Sequence, residues 1–271
     1  MRGWAHLLGI LVLPMYVAEL IFRRLRAPLS PADAASTIDG LIGLLMKNGQ
    51  VLGDGSAVAQ IPAGFSSTVT LPERTSLLPR FNNRYVTEAL AGLGSQGLRA
   101  PRTRIVGRAP SGAVADRCAR PSWRVLFTTF LCIDSPVRCG DCFAPVPLYR
   151  LPEREPFRRE ALRFWAHAWQ ACDRLQMGCR VGERFGTDQI SSPTSDLGRW
   201  GRELCARVRR LTKIPTYLYL YRGGAKSRSR EERRRCPLCD GPWRLKEPLH
   251  QMFDFKCNRC RLVSNIGWDV R

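Results

Sequence analysis

The alternation of hydrophobic and polar residues in the first hundred positions predicts strands and helices in turn. The apolar run Tyr16–Arg23 has the length of one β-strand. Ser30 then stands before a proline and an acidic residue, which is a typical helix start, and apolar positions continue at helical spacing until Gly49. A strand over 67–71 and a short helix over 83–93 follow. This order indicates a mixed α/β unit in the N-terminal part of an α+β protein.

The pattern between residues 97 and 222 predicts the rest of a larger domain over 15–222. Residues 97–121 combine arginine with proline and glycine, which predicts a mobile basic connection. Aromatic and β-branched residues over 123–133 predict a buried strand. The remaining predicted elements are a helix from Pro156 to Gly178 with Phe157 in its apolar stripe, a helix capped at Ser195, and a strand over 217–221 with alternating tyrosines.

The most specific motif is a pair of C-x-x-C sequences, Cys236 with Cys239 and Cys257 with Cys260. Such spacing is typical of a zinc ribbon, in which each pair forms a tight knuckle and four thiolates bind one Zn²⁺. A β-module over 236–271 is too small to fold on apolar burial alone, so the metal would supply on the order of 10–16 kcal/mol of folding free energy. Four thiolates close the coordination sphere, and the zinc is therefore predicted to be structural.

A third pair, Cys139-Gly-Asp-Cys142, precedes Pro145 and Pro147, which cannot continue a helix. A redox C-x-x-C opens a helix, so a metal knuckle is favoured here. The pair supplies two ligands of a possible second zinc site, and plain buried thiols are the alternative. The cysteines without a matching spacing are Cys118, Cys132, Cys172, Cys179 and Cys205.

Arginine supplies almost all of the large positive charge of the chain. The formal net charge is +20, the sequence pI is about 10.4, and the lysines are Lys47, Lys213, Lys226, Lys246 and Lys256. Because arginine offers a forked set of donors to phosphate, DNA or RNA is the expected partner. The alternative is an arginine-rich composition whose charges are spread over solvated faces.

A polar segment over 223–235 is rich in glycine, serine and arginine and predicts a flexible basic linker before the ribbon. Its arginines and the basic residues of the second knuckle are the predicted nucleic-acid contacts. These residues are Arg228, Arg230, Arg233, Arg234, Arg235, Lys256, Arg259 and Arg261.

The first residues, 1–14, form an apolar extension with two interpretations. It has the composition of a signal peptide or membrane anchor, or translation starts at Met15, directly before the first predicted strand. The 11 cysteines are an odd number and favour metal binding in a reducing compartment over a disulfide framework. A cytoplasmic location is therefore expected, and a membrane partner is expected only if Met1 is the true start.

Four segments carry a resemblance to a known family: Cys236-Pro-Leu-Cys239 with Gly241 and Trp243, Phe253 through Asn265, Cys139 through Tyr149, and Pro215 through Tyr221. From about Met15 to its end, the chain is similar to bacterial zinc-ribbon-containing proteins with a suggested role in nucleic-acid binding. The resemblance implies a C-terminal zinc ribbon and a nucleic-acid partner. It implies no catalytic residue.

The predicted function is therefore a zinc-ribbon protein that binds nucleic acid and is not an enzyme, without a small-molecule substrate. The alternative is a module that docks on a protein partner in a larger assembly. The sequence contains no metalloprotease, P-loop or nucleophile-elbow motif. The remaining enzymatic hypothesis is a nucleophile at Cys139 or Cys142 that pairs in space with His167 or His250.

Overall fold

The computed structural model describes residues 15–25, 29–110, 113–154 and 159–271. These residues form a mixed α+β structure with one four-stranded and one six-stranded sheet. The predicted apolar extension 1–14 lies outside the described residues.

The first sheet is antiparallel, with the strand order β2-β3-β1-β4. Together with its two helices it follows the split β-α-β order of ferredoxin-like folds. Alternate residues of β1, namely Ala18, Leu20 and Phe22, are buried against helix residues such as Ile38 and Leu41. The elements are β1 Tyr16–Arg23, α1 Pro31–Asn48, β2 Val58–Ile61, β3 Gly64–Leu71, α2 Arg84–Gly92 and β4 Arg102–Arg108.

The second sheet is mixed, with the order β6-β5-β7-β10-β9-β8, and β7 is parallel to both of its neighbours. All five residues of β7 are buried, and α5 packs on this strand. The strands are β5 Arg124–Leu126, β6 Val137–Cys139, β7 Thr216–Leu220, β8 Arg244–Leu249, β9 Phe253–Cys257 and β10 Leu262–Ser264. The helices are α3 Glu160–Gly178, α4 Glu183–Ser191, α5 Asp196–Thr212 and α6 Arg228–Glu232.

The second sheet curls so that its two edges come together. His250, in the turn between β8 and β9, places Nε2 2.6 Å from the carbonyl oxygen of Gly140, which follows β6. Rings from four parts of the chain meet inside the curl, and Phe253 contacts Phe127, Phe143 and Tyr219 at centroid distances of 5.4–6.0 Å. The described C-terminal strands therefore share one core with β5–β7.

Two segments differ from the sequence predictions for the middle of the chain. The predicted mobile connection over 97–121 contains β4, because Arg102 and Arg104 pair with β1 at the edge of the first sheet. The predicted strand over 123–133 is confined to β5, after which the chain turns. The predicted helix start at Pro156, with Phe157, lies outside the described residues.

The predicted flexible linker over 223–235 contains α6 and is tied to the second sheet. Ser227 caps the helix, and Glu231 is buried between the guanidinium groups of Arg222 and Arg234, with shortest N–O distances of 2.7 and 3.5 Å. Because β10 hydrogen bonds to β7, the residues predicted as a separate ribbon extend the sheet of the preceding residues. Among the described helices, none has the length and apolar character needed to cross a membrane.

Candidate metal centres and basic surface

Four cysteines converge at the end of the second sheet, and we call this group the C-terminal centre. Cys236 and Cys239 precede β8, Cys257 ends β9, and Cys260 lies in the turn before β10. Their sulfur atoms all lie within 4.8 Å of one another, and Cys239 Sγ is 3.7 Å from Cys257 Sγ. A tetrahedral site with metal–sulfur bonds of about 2.3 Å requires sulfur–sulfur distances of about 3.8 Å. The donor set and its spacing therefore fit a tetrahedral metal ion.

Backbone hydrogen bonds hold the knuckles of the C-terminal centre in shape. The N–H of Cys236 donates to Gly241 O at 3.0 Å, and the N–H of Asp240 donates to Cys236 O at 2.9 Å. The N–H of Cys260 donates to Cys257 Sγ at 3.3 Å. The backbone N–H of Gly241, followed by a hydrogen bond with Cys260, lowers the pKa of Cys239 to about 7. At Cys239 these hydrogen bonds favour the thiolate form that binds metals, whereas burial raises the pKa values of Cys257 and Cys260.

A second group, which we call the central cluster, consists of Asp116, Cys118, Cys139 and Cys142. One ligand atom from each residue lies within 4.8 Å of all the others. The N–H of Asp116 donates to Pro145 O at 2.8 Å, so the segment before β5 lies beside the turn that follows β6. Both groups could hold a metal ion.

The central cluster contains two residues that the sequence reasoning did not assign. Cys139 and Cys142 were predicted as a pair, whereas Asp116 and Cys118 lie more than twenty residues earlier in the chain. No local spacing connects the two halves of the cluster. A single cysteine close to an aspartate before a buried strand is the one signal that points to them.

The two groups are connected by aromatic contacts across the curled sheet. His250 stacks on Phe143, which directly follows Cys142, with a centroid distance of 5.1 Å. Lys256, the neighbour of Cys257, places Nζ 3.8 Å from the ring centroid of Trp123 and 4.8 Å from that of Tyr217. Burial lowers the pKa of Lys256, and Asp141 acts in the opposite direction. Lys256 therefore packs on aromatic rings.

Arg234 also packs on aromatic rings, as Lys256 does. Its guanidinium carbon lies 4.3 Å from the ring centroid of Phe255 and 5.0 Å from that of Trp243. Nη2 donates to Asn265 O at 2.8 Å. This side chain contacts the core, whereas a phosphate-binding side chain faces solvent.

Five of the other six predicted nucleic-acid contacts are exposed. Arg228 is exposed and pairs with Glu232, Arg235 is exposed and donates to Asp240 O, and Arg261 is half-buried. Three of these six residues are exposed arginines that form no ion pair within the described part of the chain. They are Arg230, Arg233 and Arg259.

The described histidines do not pair with the thiols of the central cluster. His250 Nε2 lies at Gly140 O, and His167 Nε2 lies 3.1 Å from Asp54 Oδ1. His167 lines a cleft between the first sheet and α3, where Arg163 donates to Gly53 O at 2.6 Å. In this cleft these polar groups are engaged with each other.

Comparison with known proteins divides the chain into three consecutive segments. The matching family models are Domain of unknown function (DUF8589) over residues 15–107, Domain of unknown function (DUF2310) over 118–221, and Domain of unknown function (DUF8594) over 225–270. The first segment covers the ferredoxin-like unit. The second and third segments meet between β7 and α6, although their strands form one sheet.

An uncharacterized protein of Haemophilus influenzae is 36% identical over 264 residues, which cover 94% of this chain and 99% of the relative. A second uncharacterized protein of the same species is 44% identical over 149 residues, or 55% of this chain and 73% of the relative. No solved structure matches the chain. Because the first relative is matched over almost its whole length, the chain belongs to the same bacterial family, which is built on domains of unknown function.

Proposed function

We propose that this chain is a zinc protein that binds nucleic acid through arginines beside its C-terminal centre. Four thiolates in a tetrahedral arrangement suit Zn²⁺, and a closed coordination sphere gives the metal a structural role. Cys236, Cys239, Cys257 and Cys260 would hold the ion and fix the turns on which the basic residues stand. Four thiolates around Zn²⁺ leave an excess of negative charge, which nearby arginines offset in part.

The observation that supports this function is the presence, around the C-terminal centre, of exposed arginines that form no ion pair with other described residues. Arg230 and Arg233 belong to the α6 segment, which Glu231 anchors to the sheet, and Arg259 lies inside the second knuckle. Arg235 connects the segment to the first knuckle through Asp240 O at 2.7 Å. Guanidinium groups with no ion pair among the described residues are available for phosphate, and the net charge of +20 favours a polyanion.

Fluorescence anisotropy with labelled single-stranded and double-stranded DNA and RNA at low salt tests the proposal. We expect the triple variant with Arg230, Arg233 and Arg259 changed to Gln to bind about tenfold more weakly or worse. A matched variant with the exposed Arg74, Arg209 and Arg210 changed to Gln loses the same charge, and its affinity should change far less. If both variants bind equally weakly, the loss of affinity is explained by net charge and not by these three positions. If the wild type does not bind nucleic acid, the proposed function is refuted.

Docking on a protein is the second candidate function, and exposed apolar residues at the turn between α3 and α4 support it. Val181 and Phe185 are 79% and 59% exposed, and Met177 lies beside them on α3. Exposed apolar groups of this kind mark interaction sites. Purification from a nuclease-treated lysate tests it. A stoichiometric protein that remains bound, and that a Val181→Ser/Phe185→Ser variant loses, would favour docking.

A further inference from the structure

We infer that Asp116, Cys118, Cys139 and Cys142 form a second zinc centre with three thiolates and one carboxylate. The inference does not depend on nucleic-acid binding. It rests on the shape of the knuckle, on a buried positive charge beside it, and on the way Asp116 is held.

The Cys139 knuckle repeats the hydrogen bonds of the first knuckle of the C-terminal centre. The N–H of Cys139 donates to Ala144 O at 2.9 Å, and the N–H of Phe143 donates to Cys139 O at 2.9 Å. Cys236 makes the equivalent bonds with Gly241 and Asp240. The two turns therefore present their paired sulfur atoms in the same way.

The residue after each C-x-x-C pair also adopts the same unusual backbone conformation. Phe143 has a φ angle of 61°, Asp240 has 50°, and Arg261 has 54°. A bulky aromatic residue rarely adopts a positive φ, so the turn at Phe143 is held by its surroundings. A redox pair at the start of a helix has no such turn, which favours metal binding here.

The environment of Arg124 supports the metal centre independently of the knuckle geometry. It is only 9% exposed, and its Nε and Nη1 atoms have no hydrogen-bond partner among the described residues. In the sheet it lies directly opposite Cys139, and it interacts electrostatically with Asp116 and Cys139. A positive charge at this position favours thiolates over neutral thiols. Three thiolates and a carboxylate around a divalent ion carry an excess of negative charge that the guanidinium offsets in part.

Asp116 is placed to be the fourth ligand. Its Oδ1 atom accepts the N–H of Cys118 at 2.9 Å, and its backbone oxygen accepts Arg150 Nη1 at 2.6 Å. The Oδ1 atom also lies 3.3 Å from Cys142 Sγ, so the carboxylate stands beside the thiols with which it would share the metal. Ligating carboxylates and thiolates in such sites are oriented by hydrogen bonds of this kind.

Metal content of the full chain, purified with a thiol reductant, tests the inference. We expect two zinc ions per wild-type chain, one in Cys118→Ser, one in the double variant Cys239→Ser/Cys257→Ser, and two in the control Cys179→Ser, whose exposed cysteine belongs to neither group. One zinc in the wild type that Cys118→Ser retains would overturn the inference. If a variant is insoluble, the number of zinc ions bound by the wild type still tests the inference, because the C-terminal centre alone accounts for one ion per chain.

Cobalt spectroscopy gives a second readout, because the double variant Cys239→Ser/Cys257→Ser leaves two thiolates in the C-terminal centre and makes the central cluster the remaining three-thiolate site. Co²⁺ should produce tetrahedral d–d bands and thiolate charge-transfer absorption that Cys118→Ser in the same background removes. Arg124→Gln should weaken Co²⁺ binding about tenfold, whereas the exposed control Arg199→Gln should not. A purely octahedral spectrum, or Co²⁺ affinity independent of Arg124, would contradict the proposed centre.

Discussion

Arg234 illustrates how a charged side chain in this protein stabilises the fold. Its guanidinium group stacks over Phe255 and Trp243 and reaches the buried Glu231 at an N–O distance of 3.5 Å. Burial lowers the pKa of Arg234 to about 10, and the negative charge of Glu231 acts against that effect. Arg234 therefore belongs to the core that supports the C-terminal centre.

Removal of Arg234 should destabilise the protein more than removal of its neighbour. Arg234→Ala deletes the ring contacts and leaves Glu231 with Arg222 alone, so we expect the free energy of unfolding to fall by about 2–4 kcal/mol. The exposed Arg233→Ala should change it by no more than about 0.5 kcal/mol. Urea denaturation of both variants measures the difference. Equal losses would show that Arg234 is not a core residue.

Gly140 marks the closest approach between the Cys139 knuckle and the sheet. A Cβ atom at this position would lie 2.1 Å from a ring carbon of Trp123. Gly140→Ala should therefore lower the free energy of unfolding by about 1–3 kcal/mol. Gly92→Ala is the matched control, because a Cβ atom there meets nothing within 4 Å. Thermal unfolding compares the two, and an unchanged Gly140→Ala protein would contradict the contact.

Strand β7 is the element on which the second sheet is built. Its tyrosine hydroxyls reach into the C-terminal segment, where Tyr217 donates to Asn258 Oδ1 at 2.9 Å and Tyr219 donates to Asn265 Oδ1 at 3.0 Å. On its other side β7 is parallel to β5. A metal bound at the C-terminal centre would therefore stabilise strands far earlier in the chain.

Chelation of the C-terminal metal should consequently loosen β7 as well as the last strands. We expect hydrogen exchange to accelerate in Thr216–Leu220 and in β8–β10, because these strands share hydrogen bonds and a core. The first sheet, β1–β4, serves as the internal control and should keep its protection. Mass spectrometry with and without chelator provides the measurement. Unchanged exchange in β7 would show that the C-terminal strands are stabilised separately.

Elements with strong local signals were predictable from the sequence, and elements formed by long-range pairing were not. The helices α1 and α5 begin after Ser30 and Ser195, as capping chemistry requires. Strand β4 was missed because arginines on an edge strand give no apolar alternation. Helix α4 was missed because it is short and follows Gly182, which contributes no side-chain cap.

The same limit applies to the candidate metal ligands. The C-x-x-C pairs are recognisable by their spacing in the sequence. The group of Cys236, Cys239, Cys257 and Cys260 was therefore predictable. Asp116 joins the central cluster only after its segment pairs with the turn at Pro145. Long-range contacts of this kind leave no local pattern in a single sequence.

At the scale of the whole molecule, polar contacts join the two sheets into one structure. Asn48, at the end of α1, accepts a hydrogen bond from Arg159, and Gly53 O accepts one from Arg163. Tyr149, which follows β6, hydrogen bonds with Ser76, which follows β3, and their hydroxyl oxygens lie 3.1 Å apart. The ferredoxin-like unit is thus attached through loops at one end.

The salt dependence of nucleic-acid binding shows most directly whether the arginines beside the C-terminal centre contact phosphate. Each phosphate neutralised by an arginine contributes about −0.7 to −0.9 to the slope of log K against log salt concentration. Contacts from Arg230, Arg233 and Arg259 therefore predict a linear plot with a slope of about −2 or steeper for the zinc-loaded wild type. Undetectable binding at low salt, or an affinity that does not change with salt, would contradict the account.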